Sequence, residues 1–202
     1  MKNKVTIFVE NNDDALFINF LLQKLYHISL PDSGNVGGFI RMGGIGQEKH
    51  NGNDIKFLQS KRLGYTNLVF EDADYKANST YGFDKQKERL EQHQTELNFE
   101  FFLFPNHKED GNLELLFESC LSAKSSQIVT CLNDYHKCLI KQGLVEKTPK
   151  TYHNRWNMIE SSLLDIKKPA QRNFADDTIW WIDNNPNLQP LIDFLDRFFV
   201  KL

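Results

Sequence analysis

The chain alternates short apolar runs with stretches of helical spacing. Lys4–Val9 carries Val5, Thr6, Ile7 and Val9 and stops at Glu10, the pattern of a β-strand. A polar turn, Asn11–Asp14, offers helix-capping residues. Phe17, Phe20, Leu21, Leu25 and Ile28 follow at helical spacing, closed by Pro31–Gly34. A short apolar stretch, Val36–Met42, runs into Gly43-Gly44-Ile45-Gly46, and Ile55, Leu58 and Leu63 predict a second helix stopped by Gly64. Asn67–Phe70 is the next strand, Phe83–Leu97 an exposed helix with a thin Leu90/Leu97 seam, and Phe99–Phe104 a strongly apolar strand ended by Pro105. Leu113, Leu116, Phe117, Cys120 and Leu121 predict another amphipathic helix. Strand–helix alternation of this kind predicts an α/β fold with a mostly parallel sheet covered on both faces.

Beyond about Ser122 the strand signal fades. Ile128, Leu132, Tyr135 and Leu139 predict a helix stopped by Gly143; Trp156, Ile159 and Leu163 predict another. Leu188, Leu191, Leu195 and Phe198 predict a terminal helix behind Pro186. The expected organisation is an α/β core over 1–121 and a helical extension over 122–202 packed on it as one compact domain. Trp156 shares helical spacing with Ile159 and Leu163 and reads as core, and at least one of the adjacent Trp180 and Trp181 is expected to be buried.

The 202 residues, 40% hydrophobic and 25% charged, suffice for a core without metal or disulfide staples. A net charge of −3 excludes a globally basic nucleic-acid coat but not a local basic patch. No apolar run is long enough to cross a bilayer, and Val5–Val9 is too short for a signal-peptide core, so no membrane association and a cytoplasmic location are expected. The three cysteines, Cys120, Cys131 and Cys138, lack zinc-ligand spacing. Cys131 and Cys138 lie seven apart on one helical face and read as buried core thiols.

Charge is uneven. Residues 71–118 hold five Lys/Arg against twelve Asp/Glu, whereas 136–172 hold eight against three. Solvated helix faces carry such blocks, but an acidic centre beside a basic lobe also suits cations and a phosphate backbone.

The candidate chemistry lies at two strand ends. The first strand ends at Glu10, with Asp13 and Asp14 just beyond; the second runs into Asp72-Ala73-Asp74. If the strands are neighbours, Glu10, Asp72 and Asp74 converge where open parallel sheets bind ligands. Clustered carboxylates repel one another unless a cation or proton neutralises them, and hard oxygen donors suit Mg²⁺ or Mn²⁺. Such a site supports phosphoryl transfer. The plain alternative is helix capping, with Asp13 or Asp14 accepting free N–H groups at the start of the first helix.

Val9-Glu10 followed by Asp14, then an apolar strand into Asp72-x-Asp74, resembles the Toprim fold of topoisomerases and primases. Asn11 stands where that family usually has glycine, and asparagine tolerates left-handed backbone better than most residues. Phe104-Pro105-Asn106, Gly111–Leu116 and the terminal Trp180–Asp183 and Pro190–Leu195 segments resemble a small group of stand-alone bacterial Toprim-like proteins. That group is related to nucleases of the overcoming-lysogenisation-defect type. The resemblance implies a Rossmann-like sandwich binding Mg²⁺ or Mn²⁺, with Glu10 in acid–base work or metal binding and Asp72 and Asp74 as metal ligands. Asp14 and Glu114 become secondary ligand candidates, although Glu114, in the first turn of a helix, reads first as a dipole partner.

Other candidates are weighed the same way. Lys76 follows the D-x-D and contacts a phosphate or is a solvated loop residue. Gly43–Gly46 lacks the Lys-Ser/Thr of a P-loop and reads as a strand-to-helix turn. His107, just past a strand end, approaches the crevice or lies in a surface loop, and the surface loop is the preferred reading. Lys147, Lys150, Arg155, Lys167, Lys168 and Arg172, with Trp156 among them, form the candidate nucleic-acid-binding set. The leading expectation is a metal-dependent nuclease. The alternatives are a non-catalytic module recruiting a protein or nucleic-acid partner, and a metal-dependent enzyme of a small phosphorylated molecule.

Overall fold

The computed structural model describes residues 4–76, 81–144 and 156–201. The architecture is a Rossmann-like α/β sandwich. Strands β1 (Val5–Val9), β2 (Phe39–Arg41), β3 (Thr66–Asp72) and β4 (Phe99–Phe104) form one sheet in the order β2-β1-β3-β4. Every pairing is parallel, with Val9 level with Arg41 on one side and Phe70 on the other. β1 and most of β3 and β4 are buried, which is why they read as near-continuous apolar runs.

Strand alternation sorts side chains between two layers. On one face, Phe8, Val69, Phe99, Phe101 and Leu103 pack with Phe57 of α2 (Asn53–Arg62) and Leu90 and Leu97 of α3 (Phe83–Leu97). Buried Asn67 ties the layers together: its Nδ2 donates to the carbonyl of Phe57 (3.2 Å), in the middle of α2, and to that of Asn98 (3.1 Å), the C-cap of α3. Ser60 of α2 donates to Thr6 of β1 across 2.8 Å. The opposite face carries α1 (Asn12–Tyr26), whose Phe17, Ile18, Leu21 and Leu22 are fully buried.

The predicted core face of α2 is corrected. Ile55, Leu58 and Leu63 are exposed, and the helix buries Asn53, Phe57 and Ser60 instead. The buried polar groups are tolerated because each has partners; Asn53 Nδ2 donates to the carbonyls of Met42 and Gln47.

The described residues divide into two compact units, one running to Leu113 and resuming at Gln189, the other spanning Glu114–Leu188. The terminal helix α6 (Gln189–Asp196), grouped by sequence with the extension, belongs to the first unit. Phe194 packs on Phe70 and Phe102, and Tyr26 donates to Asp196 across 2.8 Å.

The helix α4 (Leu113–Ser119) leads into the second unit, which contains α5 (Ala123–Lys141), capped by the Ser122 hydroxyl. Phe117, Trp156, Phe174 and Trp180 form its aromatic core, whereas Trp181 is half exposed. The predicted helix at Trp156 is present: residues 156–158 are α-helical and continue as a π-helical turn over Ile159–Leu163. The reading of Cys131 and Cys138 as core thiols is overturned. Both are exposed, because α5 buries only Ser125 and Leu132; the buried thiol is Cys120.

Candidate active site at the carboxyl edge of the sheet

The strand order creates a switch point. The chain leaves β1 toward β2 on one side, then crosses to β3 on the other, so the crossovers diverge between the carboxyl ends of β1 and β3. Open parallel sheets form their ligand crevice at such a point. Glu10 follows β1 directly, and Asp72 is the last residue of β3, with Asp74 two residues on. The neighbour condition set by the sequence is met.

The turn after β1 is built by capping. Asn11 is extended (φ −144°), not left-handed, and its side chain accepts from the N–H of Asp13 at 2.7 Å and of Asp14 at 3.4 Å. Asp14 returns the bond, accepting from the N–H of Asn11 at 3.0 Å. This closes a capping box, the structural role open to an acidic residue there. Asp14 is 2% exposed, and burial raises its carboxyl well above the usual range, with Glu10 and Asp13 adding to the rise.

Asp72 and Asp74 are half-buried and tied to the loop after β4. Asp72 Oδ1 accepts from the N–H of Leu113 at 2.9 Å. Asp74 has a left-handed backbone (φ 58°), and its carbonyl accepts from Gly111 N–H at 2.9 Å. Asp110 draws in two further backbone groups, Phe83 N–H at 2.7 Å and Lys76 N–H at 3.3 Å. The Lys76 side chain is exposed. Glu114 is a half-buried residue in the first turn of α4.

Two features at this edge escaped the sequence reading. Glu71 lies on the α2/α3 face, one residue before Asp72 and pointing the opposite way. It is fully buried, and Arg89 of α3 joins it to Glu48, also fully buried, in a Glu–Arg–Glu cluster. Burial raises the Glu71 carboxyl well above its usual range; Arg89 opposes the rise and Glu48 adds to it. Strand alternation, with Asn67 and Val69 on the same face, is the signal that separates Glu71 from Asp72. The second feature is Arg41, the last residue of β2, whose Nη2 donates to Asn12 Oδ1 at 2.7 Å and pairs with Asp32.

His107 is corrected from surface loop to edge packing. Its ring stacks on Phe102, Nδ1 accepts from Leu103 N–H at 3.1 Å, and the backbone N–H of His107 donates to the Leu103 carbonyl at 2.8 Å. Burial lowers its pKa, as do Lys87 and Arg197.

The basic set divides. Lys147, Lys150 and Arg155 lie outside the described residues. Lys167 and Lys168 are exposed, and Lys167 pairs with Asp165. Arg172 is corrected: its side chain is 3% exposed and bound to Glu160 through Nε and Nη2, so it holds the second unit together and is not presented to a ligand. The second unit also contains an apolar groove of about 740 Å³ lined by Ile128, Leu132, Tyr135, Met158, Leu164 and Ile179; no strand-end carboxylate lines it.

No family model, curated protein or solved structure matches the chain. Among the described residues, no group of three or more His, Cys, Asp or Glu side chains is placed to hold a metal ion. Glu10, Asp72 and Asp74 thus share the carboxyl edge without forming a three-carboxylate cage. Their hard oxygen donors suit a cation held by one or two carboxylates, with water and substrate oxygens completing its shell, which is the usual manner of Mg²⁺.

Proposed function

We propose that the chain is a Mg²⁺- or Mn²⁺-dependent enzyme of phosphodiester chemistry, a nuclease of the Toprim type. The observation supporting this reading is the switch point itself. The neighbouring parallel strands β1 and β3 end in Glu10 and in Asp72-Ala73-Asp74, at the place where such sheets bind ligands. Asp72 and Asp74 would hold the cation, which when bound supplies charge stabilisation to the phosphoryl oxygens. Glu10 serves as proton acceptor or additional ligand. Lys167 and Lys168, exposed on the second unit, are the remaining candidate polymer contacts of the basic set.

The test is cleavage of supercoiled plasmid, single-stranded DNA and RNA with Mg²⁺, Mn²⁺ or EDTA. Metal-dependent cutting that is lost in Asp74→Ala and Asp72→Asn supports the reading. Cutting retained in both variants removes these carboxylates from the site. Metal-independent or absent cutting by the wild-type protein overturns the nuclease assignment.

A further inference from the structure

We infer that Arg41 is a phosphate-recognising residue of this crevice, engaging a phosphate beside the reacting one. The inference rests on the phosphodiester reading and extends it to substrates carrying more than one phosphate.

Its basis is placement. Arg41 ends β2 level with Val9, and the ladder continues through Met42 N–H to the Val9 carbonyl (2.8 Å) and Gly43 N–H to the Glu10 carbonyl (3.2 Å). The residue therefore stands on the same carboxyl edge as Glu10, on the flank away from β3. Two strand spacings, about 10 Å in all, separate its backbone from that of β3. That distance suits the flank of a crevice better than its floor. The side chain lies over the start of α1, as its bond to Asn12 shows.

The guanidinium is oriented but not consumed. Both of its acceptors, Asn12 Oδ1 and the Asp32 carboxylate, bind Nη2. Nε and Nη1 take no partner among the described residues, and the side chain is 37% exposed. An arginine with one nitrogen anchored and further donors left over is pre-organised for an oxyanion, because less side-chain freedom is lost on binding. A flexible unanchored lysine would lack that advantage. Asp32 offsets part of the Arg41 charge toward any anion; the preference for phosphate comes from the proposed phosphodiester site beside it.

The test separates binding from cleavage. Binding of a fluorescein-labelled single-stranded 12-mer is followed by anisotropy in EDTA at several salt concentrations. Wild type is compared with Arg41→Ala, Arg41→Lys and Arg41→Gln, with Lys61→Ala, in the last turn of α2 just before the amino end of β3, as a control away from the carboxyl edge, all checked by thermal melting. Arg41→Ala and Arg41→Gln are expected to weaken binding at least tenfold and to flatten the log–log salt slope by about 0.7, the loss of one single-strand phosphate contact. Arg41→Lys should restore the slope but only part of the affinity. Arg41→Gln keeps a hydrogen-bonding side chain beside Asn12 and Asp32, so it preserves the test if Arg41→Ala does not fold. Wild-type affinity and slope in a folded Arg41→Gln overturn the inference, as does an absence of wild-type binding. Arg41-dependent binding without any cleavage overturns the nuclease reading and leaves this one standing; cleavage and binding both indifferent to Arg41 do the reverse.

Discussion

Asp72 Oδ1 accepts a 2.9 Å hydrogen bond from the backbone N–H of Leu113. The residue proposed to hold a cation therefore also secures the entry to α4. These duties call for different atoms: the bond needs an oxygen acceptor, whereas cation binding needs the charge.

Asp72→Asn and Asp72→Ala should consequently diverge. Asparagine keeps an acceptor for Leu113 and is expected to leave the melting temperature nearly unchanged while abolishing metal-dependent cleavage. Alanine should lose activity and also about 1 kcal/mol of stability, the usual cost of a lost helix-start acceptor. Urea denaturation beside the cleavage assay checks both. Equal loss of stability in the two variants would mean that the charge itself holds the fold.

The Glu48–Arg89–Glu71 cluster joins three segments: the loop before α2, helix α3 and strand β3. Removing only Arg89 leaves two buried carboxyl groups without their cation. Breaking a buried pair in this way costs about 3–5 kcal/mol. Arg89→Ala is expected to show that loss in denaturant melts, and adding Glu48→Gln and Glu71→Gln should recover at least half. Glu71→Gln alone should cost less than Arg89→Ala, because the amide keeps an oxygen acceptor for Arg89 and removes a carboxyl group whose charged form burial disfavours. A loss below about 1 kcal/mol in Arg89→Ala would remove the cluster from the forces holding the edge together.

His107 makes stability depend on pH in a set direction. Burial lowers its folded pKa below the ordinary 6.5. The unfolded chain therefore takes up a proton first as pH falls. This residue's contribution is fully present above about pH 6.5, is lost as pH falls through the folded pKa, and levels off below it. Geometry agrees, since protonation of Nδ1 would cost the bond from Leu103 N–H. His107→Asn, which tolerates the left-handed backbone at φ 60°, should show a shallower fall in stability between pH 7 and 5. Parallel curves for variant and wild type would contradict this account.

Much of the fold was legible because β3, β4 and α3 obey simple periods. Phe99–Phe104 and Phe83–Leu97 coincide with their predicted bounds. The carboxyl edge was legible too, since a strand must end where Glu10 and Asp72 stand. What periodicity missed are buried polar side chains. Asn53, Ser60, Asn67, Glu48 and Glu71 sit in the interior on hydrogen bonds or an ion pair supplied by residues distant in sequence. An apolar count scores such positions as surface. Arg172 fails for the converse reason: a basic residue in a basic stretch reads as solvent-facing until its distant partner Glu160 is seen.

The cysteines give a direct readout of that error. Helical spacing groups Cys131 with Cys138, and the fold indeed puts both on α5, but outward. Cys120 lies inside the second unit, where burial pushes its thiol up to about 12. Thiolate is the reacting form, so exposure and pKa act together. In the native protein at pH 8, a chromogenic disulfide reagent should titrate two thiols rapidly and a third only on unfolding. Cys120→Ala should leave the rapid phase at two, whereas Cys131→Ser with Cys138→Ser should remove it. A single rapid thiol would show that one α5 cysteine is shielded in solution, and rapid labelling that survives the double variant would show that Cys120 is reachable.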